Sequence, residues 1–266
     1  MATAEQGGIE IPMSASNEPK TGGERVAPHS PLDRYYERES NRHSYVVDLF
    51  NKSAPHYNTI EKLFFNVGLW YRRFSLRRAG LARGMRVLDV AMGTGAVARG
   101  AVQLVGPEGR VFGIDPSVGM IAEARKVFHG PVTRGVAGEL PFADEQFDFV
   151  TMGIALRHVS DLATTFAEYF RVLRPGGTLW ILEGHVPTSR LGHWFTKLMW
   201  ATVIPAMTLT FTRSRDAKLL MDYYWDTIDE AASRETLMQT MKAVGFEEPR
   251  YRAAHPVCEY VARKPQ

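Results

Sequence analysis

The spacing of apolar residues changes along the chain, and those changes divide it. Residues 1 to 33 are rich in Gly, Pro, Ser and Glu and show no apolar period. Such a segment buries too little surface to offset the entropy of ordering it, so 1–33 reads as a disordered tail. From Tyr35 to about Arg83 the apolar residues cluster at helical spacing. One group is Val46, Val47, Leu49 and Phe50; the other is Leu63, Phe64, Phe65, Leu69, Trp70 and Phe74. Residues 34–84 are therefore expected to form two or three helices, either a cover for the main domain or a lid over a ligand.

From Arg86 onward, short apolar runs alternate with amphipathic ones. Arg86–Val90, Val111–Ile114, Phe147–Met152 and Leu179–Glu183 read as buried strands. Ala96–Val105, Val118–Phe128, Leu162–Leu173 and Glu235–Val244 read as helices. Ser117 is a candidate cap, while Pro175-Gly176-Gly177 and Gly245 are stop signals. Two strand-like runs around His255-Pro256 suggest a C-terminal hairpin. The alternation predicts an α/β fold over 85–266, a doubly wound and mostly parallel sheet covered on both faces. A helical insertion around 188–230 is a candidate lid.

Composition narrows the function classes. Lys+Arg is 32 against Asp+Glu at 29, a net charge of +3. That balance, without a long basic run, gives no reason to expect a nucleic-acid partner. The lone Cys258 excludes an internal disulfide and a cysteine-built metal cluster, and no metal site is expected. No secretory signal is visible, which points to the cytoplasm. Leu198–Phe211 is charge-free but contains Pro205 and falls short of the ~20 residues a membrane span needs. The greasy stretch Trp194–Phe211, with Arg190, Lys197, Arg213, Arg215 and Lys218 along and beside it, reads either as a core helix or as a cover for a lipophilic tail. The second reading allows peripheral membrane contact.

The candidate chemistry starts at the turn after the first strand. Gly93-Thr94-Gly95-Ala-Val-Ala98 fits the dinucleotide pattern G-x-G-x-x-G/A, and Asp115 follows at the distance of a ribose contact. Asp89 argues against a dinucleotide. A pyrophosphate would sit at the next helix N-terminus, where a nearby carboxylate repels it. A phosphate-free adenosyl compound with a cationic ammonium has the opposite preference, and S-adenosylmethionine fits. Asp89 would attract the ammonium, directly or through water. Gly93 and Gly95 would let backbone approach the ligand. Asp115 would accept from the ribose hydroxyls.

Val87-Leu-Asp-Val-Ala-Met-Gly-Thr-Gly95 resembles the first motif of class I S-adenosylmethionine-dependent methyltransferases. Further runs resemble the ubiquinone/menaquinone biosynthesis C-methyltransferase family: Phe50–Tyr57, Leu140-Pro-Phe, Leu156-Arg-His-Val-Ser-Asp161, Arg171–Gly177 and Tyr224–Ile228. The resemblance spans roughly Tyr45 to Arg263. It implies a Rossmann-like seven-stranded sheet with one antiparallel strand, S-adenosylmethionine as cofactor, and carbon methylation of a lipophilic quinol. By matching position it implies cofactor contacts at Thr94, Asp115, Val136, Ala137 and Gly153. Three positions depart from the family pattern: Val136 stands where a polar Asn or Asp is usual, Gly153 where Ser is usual, and His158 where Asn is usual.

Methyl transfer to carbon needs alignment, exclusion of water and a base that deprotonates an adjacent phenol. His158 is the candidate base and Arg157 the candidate phenolate stabiliser, both on the loop after the Phe147–Met152 strand. Tyr57 is a candidate to close over the sulfonium. Glu183 is expected either to contact substrate or to hold that loop. Two other readings stay open at this level. One is N-, O- or C-methylation of a phospholipid amine, a prenyl diphosphate or a natural-product phenol. The other is a catalytically silent protein that binds the cofactor or a partner enzyme.

Overall fold

The computed structural model describes residues 25–64 and 69–266. Phe65 of the second apolar group, and residues 1–24 of the expected tail, lie outside the described residues.

The sheet holds seven strands: β1 (Arg86–Val90), β2 (Arg110–Asp115), β3 (Val132–Arg134), β4 (Phe147–Gly153), β5 (Leu173–Gly184), β6 (Glu247–Ala254) and β7 (Val257–Arg263). Their order is β3-β2-β1-β4-β5-β7-β6. β1 to β5 pair in parallel, and β7 runs antiparallel to β5 and to β6. This is the class I methyltransferase sheet that the resemblance implied. Successive strand residues alternate between two cores, because side chains on a strand point to opposite faces. Val87, Phe149, Trp180 and Leu182 enter one core; Leu88, Val90, Val150, Met152, Leu179 and Ile181 enter the other.

The first core is covered by α1 (Arg42–Phe64), α2 (Leu69–Arg78), α3 (Ala96–Val105) and α8 (Arg215–Asp229). The second is covered by α5 (Leu162–Val172) and α9 (Arg234–Val244). Between α3 and α5 lies α4 (Val118–Ala124), capped by Ser117 Oγ, which accepts from Met120 N–H at 3.1 Å. It is shorter than the expected Val118–Phe128. β3 has three residues and no apolar run, so periodicity did not reveal it. The run before Pro175-Gly176-Gly177 is a helix only to Val172, and β5 starts at Leu173 and runs through the proline and glycines.

Two expected boundaries need correction. The tail reading fails for residues 25–33. Val26 N–H donates to Asp161 Oδ1 at 2.7 Å, Ala232 N–H to Pro28 O at 2.8 Å, and His29 and Leu32 are buried. Backbone bonds to distant segments order this stretch without any periodicity of its own. The expected lid at 188–230 is not one unit. It contains α6 (Arg190–Leu198), a π-turn (Met199–Val203), α7 (Ile204–Thr212) and α8. In α8, Leu220, Met221, Tyr223 and Tyr224 are fully buried, which makes it a core helix.

Candidate active site

The ends of the parallel strands converge on two adjoining groups of polar residues. The first surrounds the turn after β1. Asp89 lies inside the sheet, opposite Gly113 and Thr151. Its Oδ1 accepts from Thr151 Oγ1 at 2.7 Å, while Oδ2 is buried and has no hydrogen-bond partner. Burial pushes its pKa up to about 7, against the opposing effect of the Thr151 bond. The chain then turns through Gly93 (φ 54°) and Gly95 (φ 83°), left-handed values that a side chain disfavours. Gly95 precedes α3 with no side-chain cap; the Ala98 N–H of its first turn faces Asp89, which leaves the N–H groups of Ala96 and Val97 for a ligand. Thr94 is buried, and its hydroxyl has no partner.

Asp115 at the end of β2 closes this group. Its Oδ2 accepts from Gly93 N–H and its Oδ1 from Ser117 N–H, both at 2.8 Å. Burial pushes its pKa up to about 6. Gly135 N–H donates to the Asp115 carbonyl at 3.2 Å, and Glu139 N–H to the Val136 carbonyl at 3.2 Å. The Gly135 bond places the following Val136-Ala137 turn beside Asp115. Gly153 ends β4 under the start of α3, where a Cβ would meet Val97 Cγ2 at 2.7 Å. Glycine at this position therefore matches the close approach of Val97.

The second group surrounds the 3-10 turn Leu156–His158. Arg157 is buried and forms an ion pair with Glu183. It also donates to Thr227 Oγ1 at 3.1 Å and to Ile154 O at 3.2 Å, while its Nη2 has no hydrogen-bond partner. The guanidinium lies 4.3 Å over the Tyr224 ring. Burial works against its charge, but Glu183 and the neighbouring tyrosines outweigh that, so it stays protonated. Both Glu183 oxygens are committed to the loop: Oε2 accepts from Leu156 N–H at 3.0 Å, and Oε1 accepts from Arg157 and from Gly184 N–H at 2.8 Å. Of its two expected roles, the geometry displays the one that holds the loop.

His158 sits in an aromatic box. Its ring lies 5.2 Å from Phe50, 5.5 Å from Tyr223 in a stacked arrangement, and 5.8 Å from Tyr224. Neither ring nitrogen has a hydrogen-bond partner. Burial, then Arg157, His29 and Arg42, hold its pKa well below the ordinary value, so the imidazole is neutral at pH 7. Tyr57 is hydrogen-bonded through its hydroxyl to the Tyr224 hydroxyl at 2.8 Å. Burial pushes the Tyr57 pKa well above its ordinary value.

Helix α1 joins the two groups. Asn51 Oδ1 accepts from Ser117 Oγ at 2.7 Å and from Gly119 N–H at 3.0 Å, clasping the start of α4 beside Asp115. Phe50 and Tyr57, on the same helix, reach the second group. Asn51, Tyr224 and Thr227, which contact the expected site residues, were not among the candidates. The signal was present, since all three lie in runs that carried the family resemblance.

These features fit S-adenosylmethionine. The buried Oδ2 of Asp89 and the hydroxyl of Thr94 lack partners that a polar, cationic ligand end supplies, and the uncapped start of α3 adds donors. Comparison with known proteins agrees. The profile of the ubiE/COQ5 methyltransferase family matches residues 38–259. The chain belongs to that family.

Its similarity to single members is moderate. It is 34% identical over 215 residues to the ubiquinone/menaquinone biosynthesis C-methyltransferase UbiE of Geobacter sulfurreducens, covering 78% of this chain and 82% of that one. It is 32% identical over 221 residues to the demethylmenaquinone methyltransferase of Symbiobacterium thermophilum, covering 79% and 88%. A solved S-adenosylmethionine-dependent methyltransferase from Aquifex aeolicus shares the fold, with a TM-score of 0.56 at 20% identity over 77% of this chain and 97% of that one. The protein is thus a ubiE/COQ5-type methyltransferase that uses S-adenosylmethionine. Among the described residues, no helix is long and apolar enough to cross a membrane.

Proposed function

We propose that this methyltransferase methylates a ring carbon of a lipophilic quinol, the acceptor class named for its relatives. The observation that carries this reading is the box formed by Phe50, Tyr223 and Tyr224 around the unpartnered, neutral imidazole of His158. The aromatic rings hold the His158 ring in place, with the imidazole neutral and its nitrogens unpartnered. Burial and Arg157 lower its basicity, and the positive charge of Arg157 beside a nascent phenolate offsets that cost of taking a phenolic proton.

The cofactor supplies, when bound, a sulfonium methyl group whose C–S bond breaks as the new carbon–carbon bond forms. The residues around it hold and align. Asp89 offers Oδ2 to the ammonium end, and Asp115 offers its free lone pairs to the ribose. The Val136-Ala137 turn and Gly153 wall the adenosyl part, and Thr94 offers its hydroxyl at the glycine turn. His158 takes the phenolic proton, which raises electron density on the ring carbon. After transfer the methylated carbon loses its hydrogen and the oxygen regains a proton, which restores the aromatic quinol with net release of one proton. Arg157, fixed by Glu183 and Thr227, places a permanent positive charge beside the resulting phenolate. Tyr57 and Tyr224 close the site from α1 and α8 and exclude water.

The charge arrangement favours a quinol over a prenyl diphosphate. Of the three buried arginines among the described residues, Arg157 and Arg72 are already paired, with Glu183 and with Glu61 at 2.6 Å, and Arg42 meets His29 and donates to Val159 O. Mass spectrometry with a labelled methyl donor tests the reading. Demethylated quinols should gain one carbon-bound methyl group, whereas phospholipid amines and prenyl diphosphates should gain none. Labelling of an amine or a diphosphate in place of the quinol would overturn it.

A further inference from the structure

The helical rod from Arg190 to Thr212 is built with its polarity reversed. It consists of α6, the π-turn and α7, joined without a loop. Its inward stripe is Thr196, Trp200, Ile204 and Thr208, spaced by four, and two of the four carry hydroxyls. Thr208 is fully buried. Its outward side carries Leu191 at 77% exposure, Trp194 at 59%, Phe195 at 57% and Phe211 at 58%. Leu191, Trp194, Phe195 and Leu198 fall at i, i+3, i+4 and i+7, which places them on one face of α6. Ordinary surface helices show the opposite arrangement, and a contiguous exposed apolar face marks an interaction surface.

Charge selects the occupant. From Gly184 through Arg215 the chain has no Asp or Glu, while Arg190, Lys197, Arg213 and Arg215 are all exposed. A second copy meeting this face about a twofold axis would bring like charges together, which association disfavours. An anionic bilayer offers the complement to both features, phosphates for the basic side chains and acyl chains for the tryptophan, phenylalanine and leucine.

We propose that the Arg190–Thr212 rod docks the protein on an anionic membrane surface, lying in the headgroup plane with Leu191, Trp194, Phe195 and Leu198 turned inward to lipid. Beneath it, Thr196 and Trp200 line a narrow gap with Trp225, Ile228, Gly184 and His185, next in sequence to Glu183. This placement suits a lipophilic acceptor but does not depend on one, because docking is measured without any acceptor.

Vesicle flotation of the full chain tests the proposal, with phosphatidylcholine alone and with phosphatidylcholine containing phosphatidylglycerol. The protein should bind the anionic vesicles about tenfold or more better than the neutral ones, and lose that preference as salt rises. The double variant Trp194→Ser, Phe195→Ser should bind about tenfold more weakly, with unchanged S-adenosylhomocysteine affinity and melting temperature. Sedimentation velocity reports whether the same variant changes the oligomeric state. Equal flotation of variant and parent, no flotation of either, or a dimer that the variant dissociates would overturn the proposal. Vesicle binding without turnover of any quinol would instead refute the acceptor reading and leave the docking face intact.

Discussion

The proposed cofactor end and the proposed acceptor end of the site are built by different means. Around Asp89 and Asp115 most of the work is done by backbone: two left-handed glycines, an uncapped helix start and an Asp115 carboxylate held by two N–H groups, with the Thr151 hydroxyl on Asp89 added from β4. Around His158 it is done by side chains drawn from α1, the loop after β4, the end of β5 and α8, with an ion pair at the centre. A local backbone device keeps its geometry while its neighbours vary. A convergence of four distant segments changes whenever one of them does. The first arrangement suits a constant cofactor, and the second suits an acceptor that differs between relatives.

The largest expected effect comes from breaking the central ion pair. Glu183→Ala leaves Arg157 buried and uncompensated and should cost about 3–5 kcal/mol in chemical denaturation. Adding Arg157→Leu should recover part of that loss. If Glu183→Ala instead abolished S-adenosylhomocysteine binding at unchanged stability, the division into two ends would be wrong. His158→Ala should lower turnover by roughly 100-fold, in the range of a lost general base, with cofactor affinity retained. Equal losses in turnover and affinity would move His158 to the cofactor end.

Asp115→Ala should weaken S-adenosylhomocysteine binding about tenfold or more in calorimetry, because a charge-assisted acceptor is removed and two N–H groups are left unpaired. The two aspartates also make the ligand-free protein sensitive to pH. Both folded pKa values, about 7 and about 6, lie above the usual carboxylate range. The folded protein therefore holds these protons more tightly than the unfolded chain. That contribution to stability is fully present below about pH 4 and disappears as pH rises through about 7. The part of the melting-temperature profile due to these groups should fall from pH 5 to pH 8, and Asp89→Asn should flatten it. Cofactor affinity should run the other way and weaken below about pH 7, since the ammonium needs an ionised Asp89. The smallest effect is expected from Tyr57→Phe. It removes one hydrogen bond and should cost about 1 kcal/mol in stability while cofactor affinity stays within about twofold.

The same division explains what could be read in advance. Strand periodicity, the glycine turn, Asp89 and Asp115 are short-range signals; they located the sheet and singled out the turn proposed to hold the cofactor. Arg157 and His158 were recognised, and Glu183 was a candidate to hold their loop, but the fixing of Arg157 by Thr227 was not, because it links residues 70 positions apart. The role of Asn51 was hidden for the same reason, its partners lying 66 and 68 positions away. Residues 25–33 lack any period and are ordered only by partners elsewhere. The reversed rod stayed open between a core helix and a cover, because apolar residues at helical spacing ordinarily mean a buried face and here Trp194 and Phe195 face solvent.

The ordered stretch that begins at Arg25 has a practical consequence. Its bonds fall on Ser160, Asp161 and Leu162 on one side and on Glu230 and Ala232 on the other, while His29 meets Arg42, which itself donates to Val159. These residues work as lacing tied across the loop that presents Arg157 and His158. Trimming the chain past residue 33, although far from the chemistry in sequence, would untie that loop from outside and act like a lesion at the catalytic centre.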